Sequence, residues 1–274
     1  MKMKLFMDDI IHDLRAELVE GIVVDRKEWQ GKTDDRPMTR VREIHDVHFK
    51  IPVYVGQIEW ANQVKPNMPW AEDHFLERIS GQPLNPGKQY KNWPWYQQGV
   101  EEHKVGGKFS HTYMERFWPV NAADRELDES RSTKTINYGI HFVYGDLNSL
   151  VELLEERPFT RQAYLPIWFP EDLTAANQGE RVPCTLGYHF QAIPSTGGNT
   201  LNITYNMRSC DFYRYLRDDV YMAGRLLQLV ANETKMHPGK LTVNIANLHI
   251  FADESERLES EHIVETQRRL SNAF

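Results

Sequence analysis

The chain has 274 residues, 41% of them hydrophobic and 26% charged, with a formal net charge of −7. That length and balance suit one large globular domain with a full core, and exclude a fibrous or disordered chain. The acidic balance excludes a broad basic face for polymeric nucleic acid, so any phosphate must be met by a local arginine cluster, as a mononucleotide would be.

Apolar runs fall far short of the roughly 20 residues of a membrane helix. The start, Met1-Lys-Met-Lys-Leu-Phe-Met-Asp-Asp, lacks the apolar core of a signal peptide. A cytoplasmic location is expected, with no membrane partner. Two cysteines, Cys184 and Cys210, cannot form a disulfide framework, and in a reducing compartment they stay free for chemistry.

In chain order, residues 8–20 place Ile10, Ile11, Leu14, Leu18 and Val19 at helical spacing. A short strand at 21–24 and a second at 41–51 flank a charged turn. Residues 70–80 read as a helix with Trp70, His74 and Phe75 inward. From 81 to about 131, Pro, Gly, Lys, Trp and Tyr recur without a sustained period, which predicts a mostly irregular insertion bearing aromatics. A helix follows at 147–156, then strands at 162–169, 185–193, 201–205 and 241–251. Residues 218–231 carry Val220, Ala223, Leu226, Leu227 and Val230 at helical spacing, and predict a long buried central helix. Helices on a mainly antiparallel or mixed sheet make the class α+β, in a single domain spanning 1–274.

Three segments carry chemistry: Arg181-Val-Pro-Cys184-Thr-Leu-Gly, Asn206-Met-Arg-Ser-Cys-Asp211 with Asp219 beyond it, and Leu248-His-Ile-Phe251. C5 of a pyrimidine becomes nucleophilic only when something adds at C6. A thiolate does this well, and a neighbouring guanidinium favours its ionised form. Cys184 is the candidate nucleophile, whereas Cys210 reads as a small buried hydrophobe. Arg208 and Ser209 supply a bidentate fork and a hydroxyl for a 5′-phosphate. Asp218 and Asp219 form a doublet in which one can cap the following helix and the other can read a base. A carboxylate accepts from the exocyclic amine of cytosine and opposes the O4 lone pairs of uracil, so Asp219 favours cytosine. No metal-ligand spacing and no Gly-rich phosphate loop is present.

These segments resemble the thymidylate synthase family over most of the chain. Asn206-Met-Arg-Ser-x-Asp and Leu-Arg-Asp-Asp219 resemble in particular its bacteriophage deoxycytidylate hydroxymethylases. The resemblance implies a thymidylate synthase-like fold and a homodimer in which Arg161 reaches the partner's phosphate site. Gln162 stands where a second arginine is usual, and Arg26, with Arg36 and Arg40 as substitutes, is the N-terminal arginine of the cage. It further implies that His249 bonds the sugar, where Phe251 replaces the usual tyrosine. Glu72 would organise water and move protons, with Asp73 and Glu77 as surface alternatives. Tyr138, followed by Gly139, would handle protons near the ring. Trp118, or else Trp93, would lie against the pterin, and Asp211 would bond its edge.

The implied substrates are a pyrimidine nucleoside monophosphate and 5,10-methylenetetrahydrofolate. The implied reaction gives 5-hydroxymethyl-dCMP, or the CMP equivalent, through a covalent Cys184–C6 adduct. Thymidylate synthesis or dUMP hydroxymethylation is the enzymatic alternative, and a non-catalytic nucleotide-binding protein is the other.

Overall fold

The computed structural model describes residues 6–26, 40–54, 56–122 and 144–271. Helix α1 (Met7–Val19) buries Met7, Ile10, Ile11, Leu14 and Leu18 along one stripe, and Asp8 and Asp9 lie in its first turn, where the helix dipole favours acids. It leads into β1 (Ile22–Asp25) and β2 (Arg40–Pro52), where Val41, Glu43, Val47, Phe49 and Ile51 turn inward at period two. Two helices follow, α2 (Gln57–Val64) and α3 (Trp70–Arg78).

The aromatic stretch from Gly81 folds as 3-10 turns at Lys88–Asn92 and Gln98–His103, then as α4 (Tyr113–Phe117) and α5 (Pro119–Ala122). Between the turns and α4, Val105 pairs with Lys108 across Gly106 and Gly107. Both glycines have positive φ, as a two-residue hairpin turn requires. Thr112 starts α4 with a full capping box to Glu115. Residues 123–131 of the expected insertion lie outside the described residues.

The second half supplies α6 (Leu147–Glu156), β3 (Tyr164–Pro166), α7 (Glu171–Asn177), β4 (Thr185–Ile193), β5 (Thr200–Met207) and β6 (Cys210–Asp211). The chain then continues through α8 (Leu216–Glu233), β7 (His237–Phe251) and α9 (Ser255–Ser271). The strand expected over 162–169 closes to three residues, because the amides of Ile167 and Trp168 both turn onto the Leu186 carbonyl. α8 buries Val220, Ala223, Leu226, Leu227 and Val230, the positions its periodicity marked. Among the described residues no helix is long and apolar enough to cross a membrane.

Among the described residues, one seven-stranded mixed sheet runs β1-β2-β7-β5-β4-β3, with β6 also on β7. All pairings are antiparallel except β5 and β6 on β7. This α+β arrangement produces two irregularities that build the site. β5 runs beside the first half of β7 and leaves it after Met207; β6 rejoins β7 at Cys210↔Leu248 and Asp211↔His249. Arg208 and Ser209 fill the gap between those two pairings and are lifted out of the ladder. On the neighbouring strand the register of β4 against β5 shifts between Thr185 and Gly187, a bulge that bends the chain just after Cys184.

Candidate active site

The loop before β4 and the gap after β5 meet through one arginine. The Arg208 amide donates to the Cys184 carbonyl at 2.9 Å; its Nε donates to the Pro183 carbonyl at 2.8 Å and one Nη to that of Val182 at 3.0 Å. The same Nη lies 3.8 Å from Cys184 Sγ. Arg208 therefore fixes the shape of the cysteine loop and presents positive charge to the sulfur. Burial pushes the Cys184 thiol up; Arg208 and Arg181 oppose that, while Asp219 and Asp211 add to it. Cys210 is core: it is buried, its thiol points at the Asp211 carbonyl, and desolvation pushes its pKa well up.

The aspartate doublet divides its work, although neither residue caps α8. The N-cap position is Tyr215, without a side-chain cap. Asp218 receives the backbone and side-chain N–H groups of Asn67 at 2.7 and 2.9 Å, which ties the loop before α3 to α8. Asp219 is 8% exposed, and neither of its side-chain oxygens takes a hydrogen bond from a described residue. Burial pushes its carboxyl up to about 7; Arg78 opposes the shift and Asp218 adds to it.

Beneath Cys184 lies a cluster of hydroxyls that no sequence motif marks. Thr185 Oγ1 is 2.8 Å from the Tyr205 hydroxyl and donates to that of Tyr113 at 3.2 Å. Tyr188 stacks on Tyr205 with ring centroids 4.7 Å apart. Burial raises all three phenols, Tyr188 to about 12, so they stay protonated. Tyr215 stacks on Trp93 at 4.8 Å and feels the charges of Cys184 and Asp219. The buried indole nitrogens of Trp93 and Trp95 have no hydrogen-bond partner among the described residues.

A polar chain continues from Arg208 along the sheet end. Ser209 Oγ is 3.3 Å from His249 Nδ1, which is 3.2 Å from Asn247 Oδ1. Asn247 bonds Glu43, and Glu43 also takes Arg26 at 2.5 Å and His45 at 3.0 Å. Burial lowers the His249 pKa and keeps the ring neutral. Arg26 is thus brought near Ser209 and His249, held there through Glu43. The Phe251 ring stands edge-on to His249, with the Arg214 guanidinium 4.6 Å above it.

The other expected site residues are placed less directly. Arg161 is exposed on the surface. Tyr138, with Gly139 and Arg36, lies outside the described residues. Asp211 is buried and occupied locally, accepting from the amides of Tyr213 and Arg214 and from the Arg214 side chain at 2.8 Å. Glu72 clamps α3 to α8: its oxygens take both forks of Arg225 at 2.9 Å and the Tyr221 hydroxyl at 2.8 Å. Trp118 is 5% exposed in the core, and its indole N–H donates to the Arg78 carbonyl, whereas Trp93 is partly buried and stacks on Tyr215.

Residues 88–272 match the family model described as thymidylate synthase. A thymidylate synthase of Fusobacterium nucleatum is 29% identical over 112 residues, 41% of this chain and 38% of that protein. A putative thymidylate synthase of Methanopyrus kandleri is 31% identical over 115 residues, 42% of this chain and 52% of its own length. One from Methanosarcina acetivorans is 24% identical over 173 residues, 61% and 67% of the two chains. The first two alignments thus span about two fifths to half of the relatives' length. With the family model covering well over half of the residues, the chain belongs to the thymidylate synthase family.

Proposed function

We propose that the protein transfers a one-carbon unit from 5,10-methylenetetrahydrofolate to C5 of a cytosine nucleotide, dCMP or CMP, and releases the 5-hydroxymethyl product. The observation that carries this reading is the meeting of Cys184, 3.8 Å from Arg208, with the buried carboxyl of Asp219 near enough to raise the thiol's pKa.

The Cys184 thiolate bonds to C6 of the ring, and the electron pair moves to C5, which takes up the one-carbon unit. The folate supplies that carbon at the oxidation level of formaldehyde. Its fit rests on the stacked rings of Trp93 and Tyr215, where the buried Trp93 indole N–H, without a partner among the described residues, can meet an acceptor-bearing heterocycle. Loss of the C5 proton through the hydroxyls of Tyr113, Thr185 and Tyr205 accompanies cleavage of the bond between the transferred carbon and the folate nitrogen, which releases tetrahydrofolate and leaves an exocyclic methylene on C5. Water then adds to the exocyclic methylene, and Cys184 departs from C6. Arg208, Ser209 and Arg26 hold the 5′-phosphate, and a partner subunit's copy of Arg161 completes the cage. His249 receives the sugar hydroxyl. Asp219 accepts from the exocyclic amine and shares a proton with N3, which its raised pKa of about 7 permits.

The same raised pKa supports a second reading. A protonated carboxyl offers one donor and one acceptor, the pattern of an amide, and can meet the N3–H and O4 of uracil. The names of the relatives point the same way, towards thymidylate synthesis on dUMP. Product mass after parallel incubation with dCMP, CMP and dUMP separates the readings. Gain of a CH2O group on a cytosine nucleotide supports the first, and gain of a CH2 group on dUMP alone replaces it with the second.

A further inference from the structure

Arg78, the last residue of α3, is 4% exposed, and its guanidinium meets no hydrogen-bond acceptor among the described residues. Its Nε is buried without a partner, and no hydrogen bond or ion pair joins the side chain to any described residue. Burying a guanidinium unpaired is costly, and a structure keeps such a group where something else completes it. The other buried arginine of this region shows the usual solution: Arg116 forms an ion pair with Asp172 at 2.5 Å.

Arg78 is also held firmly. Its guanidinium lies 4.0 Å over the Tyr113 ring, its carbonyl accepts from Trp118 Nε1 at 2.8 Å, and its helix is clamped to α8 by Glu72 with Arg225 and Tyr221. Tyr113 in turn reaches Thr185, the residue after Cys184. Asp219 feels the Arg78 charge across the same space, yet the two are too far apart to pair. Both side chains are buried, and neither the Arg78 Nε nor the Asp219 carboxyl has a hydrogen-bond partner among the described residues.

We infer that Arg78 is a specificity-determining residue that donates a hydrogen bond to the O2 acceptor of the pyrimidine, while Asp219 accepts from the exocyclic amine on the same ring. This rests on the base-pocket assignment above and extends it, since two side chains of opposite charge divide the reading of one ring edge. A ring with both a donor and an acceptor on that edge satisfies both; an abasic sugar phosphate satisfies neither.

Calorimetric binding of dCMP and of 2-deoxyribose 5-phosphate to the wild type and to Arg78→Gln tests this. Loss of a charge-assisted hydrogen bond should weaken dCMP roughly ten- to a hundredfold and leave the sugar phosphate within about twofold. Equal weakening of both ligands, or of neither, overturns the inference. If the wild type binds dCMP no better than the sugar phosphate, it is the base-pocket assignment itself that fails. Should Arg78→Gln not fold, the wild type with labelled arginines still decides. An arginine Nε–H resonance that moves with dCMP but not with the sugar phosphate, and is missing from Arg78→Lys, supports the inference. No such resonance overturns it.

Discussion

Replacing Asp219 by asparagine should stabilise the empty protein, and by an amount that depends on pH. Asp219 is 8% exposed, and burial raises its carboxyl from an ordinary 3.8 to about 7. Below the lower value the group is protonated in folded and unfolded chains alike, so its contribution is intact. Between 3.8 and about 7 the unfolded chain ionises while the folded one does not, and stability is lost as the pH rises. That rise corresponds to about 4 kcal/mol by the top of the window, an upper limit because the folded state can relax around the charge. Asparagine does not titrate. Its advantage over the wild type should therefore widen by about 3 kcal/mol between about pH 5 and pH 8. Urea midpoints of both proteins at the two pH values measure the gap, in which most other titrating groups cancel. A gap that stays constant, or shrinks as the pH rises, refutes the claim that this carboxyl is held in the pocket at the expense of stability.

Three further outcomes follow from named contacts. Alkylation of Cys184 by iodoacetamide should shift to higher pH in Arg208→Met, which removes the cation beside the sulfur, and to lower pH in Asp219→Asn, which removes an anion; shifts of the same sign would contradict the arrangement. Arg225→Met leaves the Glu72 carboxylate buried with only Tyr221, and should destabilise the protein by about 3 kcal/mol in chemical unfolding, against a far smaller loss for the double variant with Glu72→Gln. Gly224→Ala would drive a methyl into the buried Trp60 ring where α2 crosses α8, so a loss of about 2 kcal/mol or more is expected, and an unchanged melting temperature would show that the helices can part there.

Much of the fold can be read from the sequence, because the periodic elements carry their own signals. The inward positions of α8 and of β5 follow from apolar spacing alone. Among the site residues, Cys184, Arg208, Ser209 and Asp219 stand in short recognisable runs, and the fold brings them to one place through two departures from regular pairing beside β4 and β5. Such departures leave little trace in hydropathy. Arg78 and Tyr113 had no motif to announce them: one ends an ordinary amphipathic helix, and the other sits in a stretch without a period. Both become visible only when α3 and α4 pack beside the cysteine loop. Helix capping misled in the aspartate doublet, because Asp218 is drawn to Asn67 by a tertiary contact rather than to the amides of its own helix. An aromatic that fills the core and one that lines a pocket look alike in sequence, and Trp118 packs in the core.

The most direct test of the thiol adduct is release of tritium from C5 of labelled dCMP in the presence of methylenetetrahydrofolate, run with the wild type and with Cys184→Ser. Release by the wild type, and none above background by the serine variant, is expected. Equal release by both, or release by the wild type from dUMP but never from dCMP, would contradict a thiol adduct on a ring selected by Asp219.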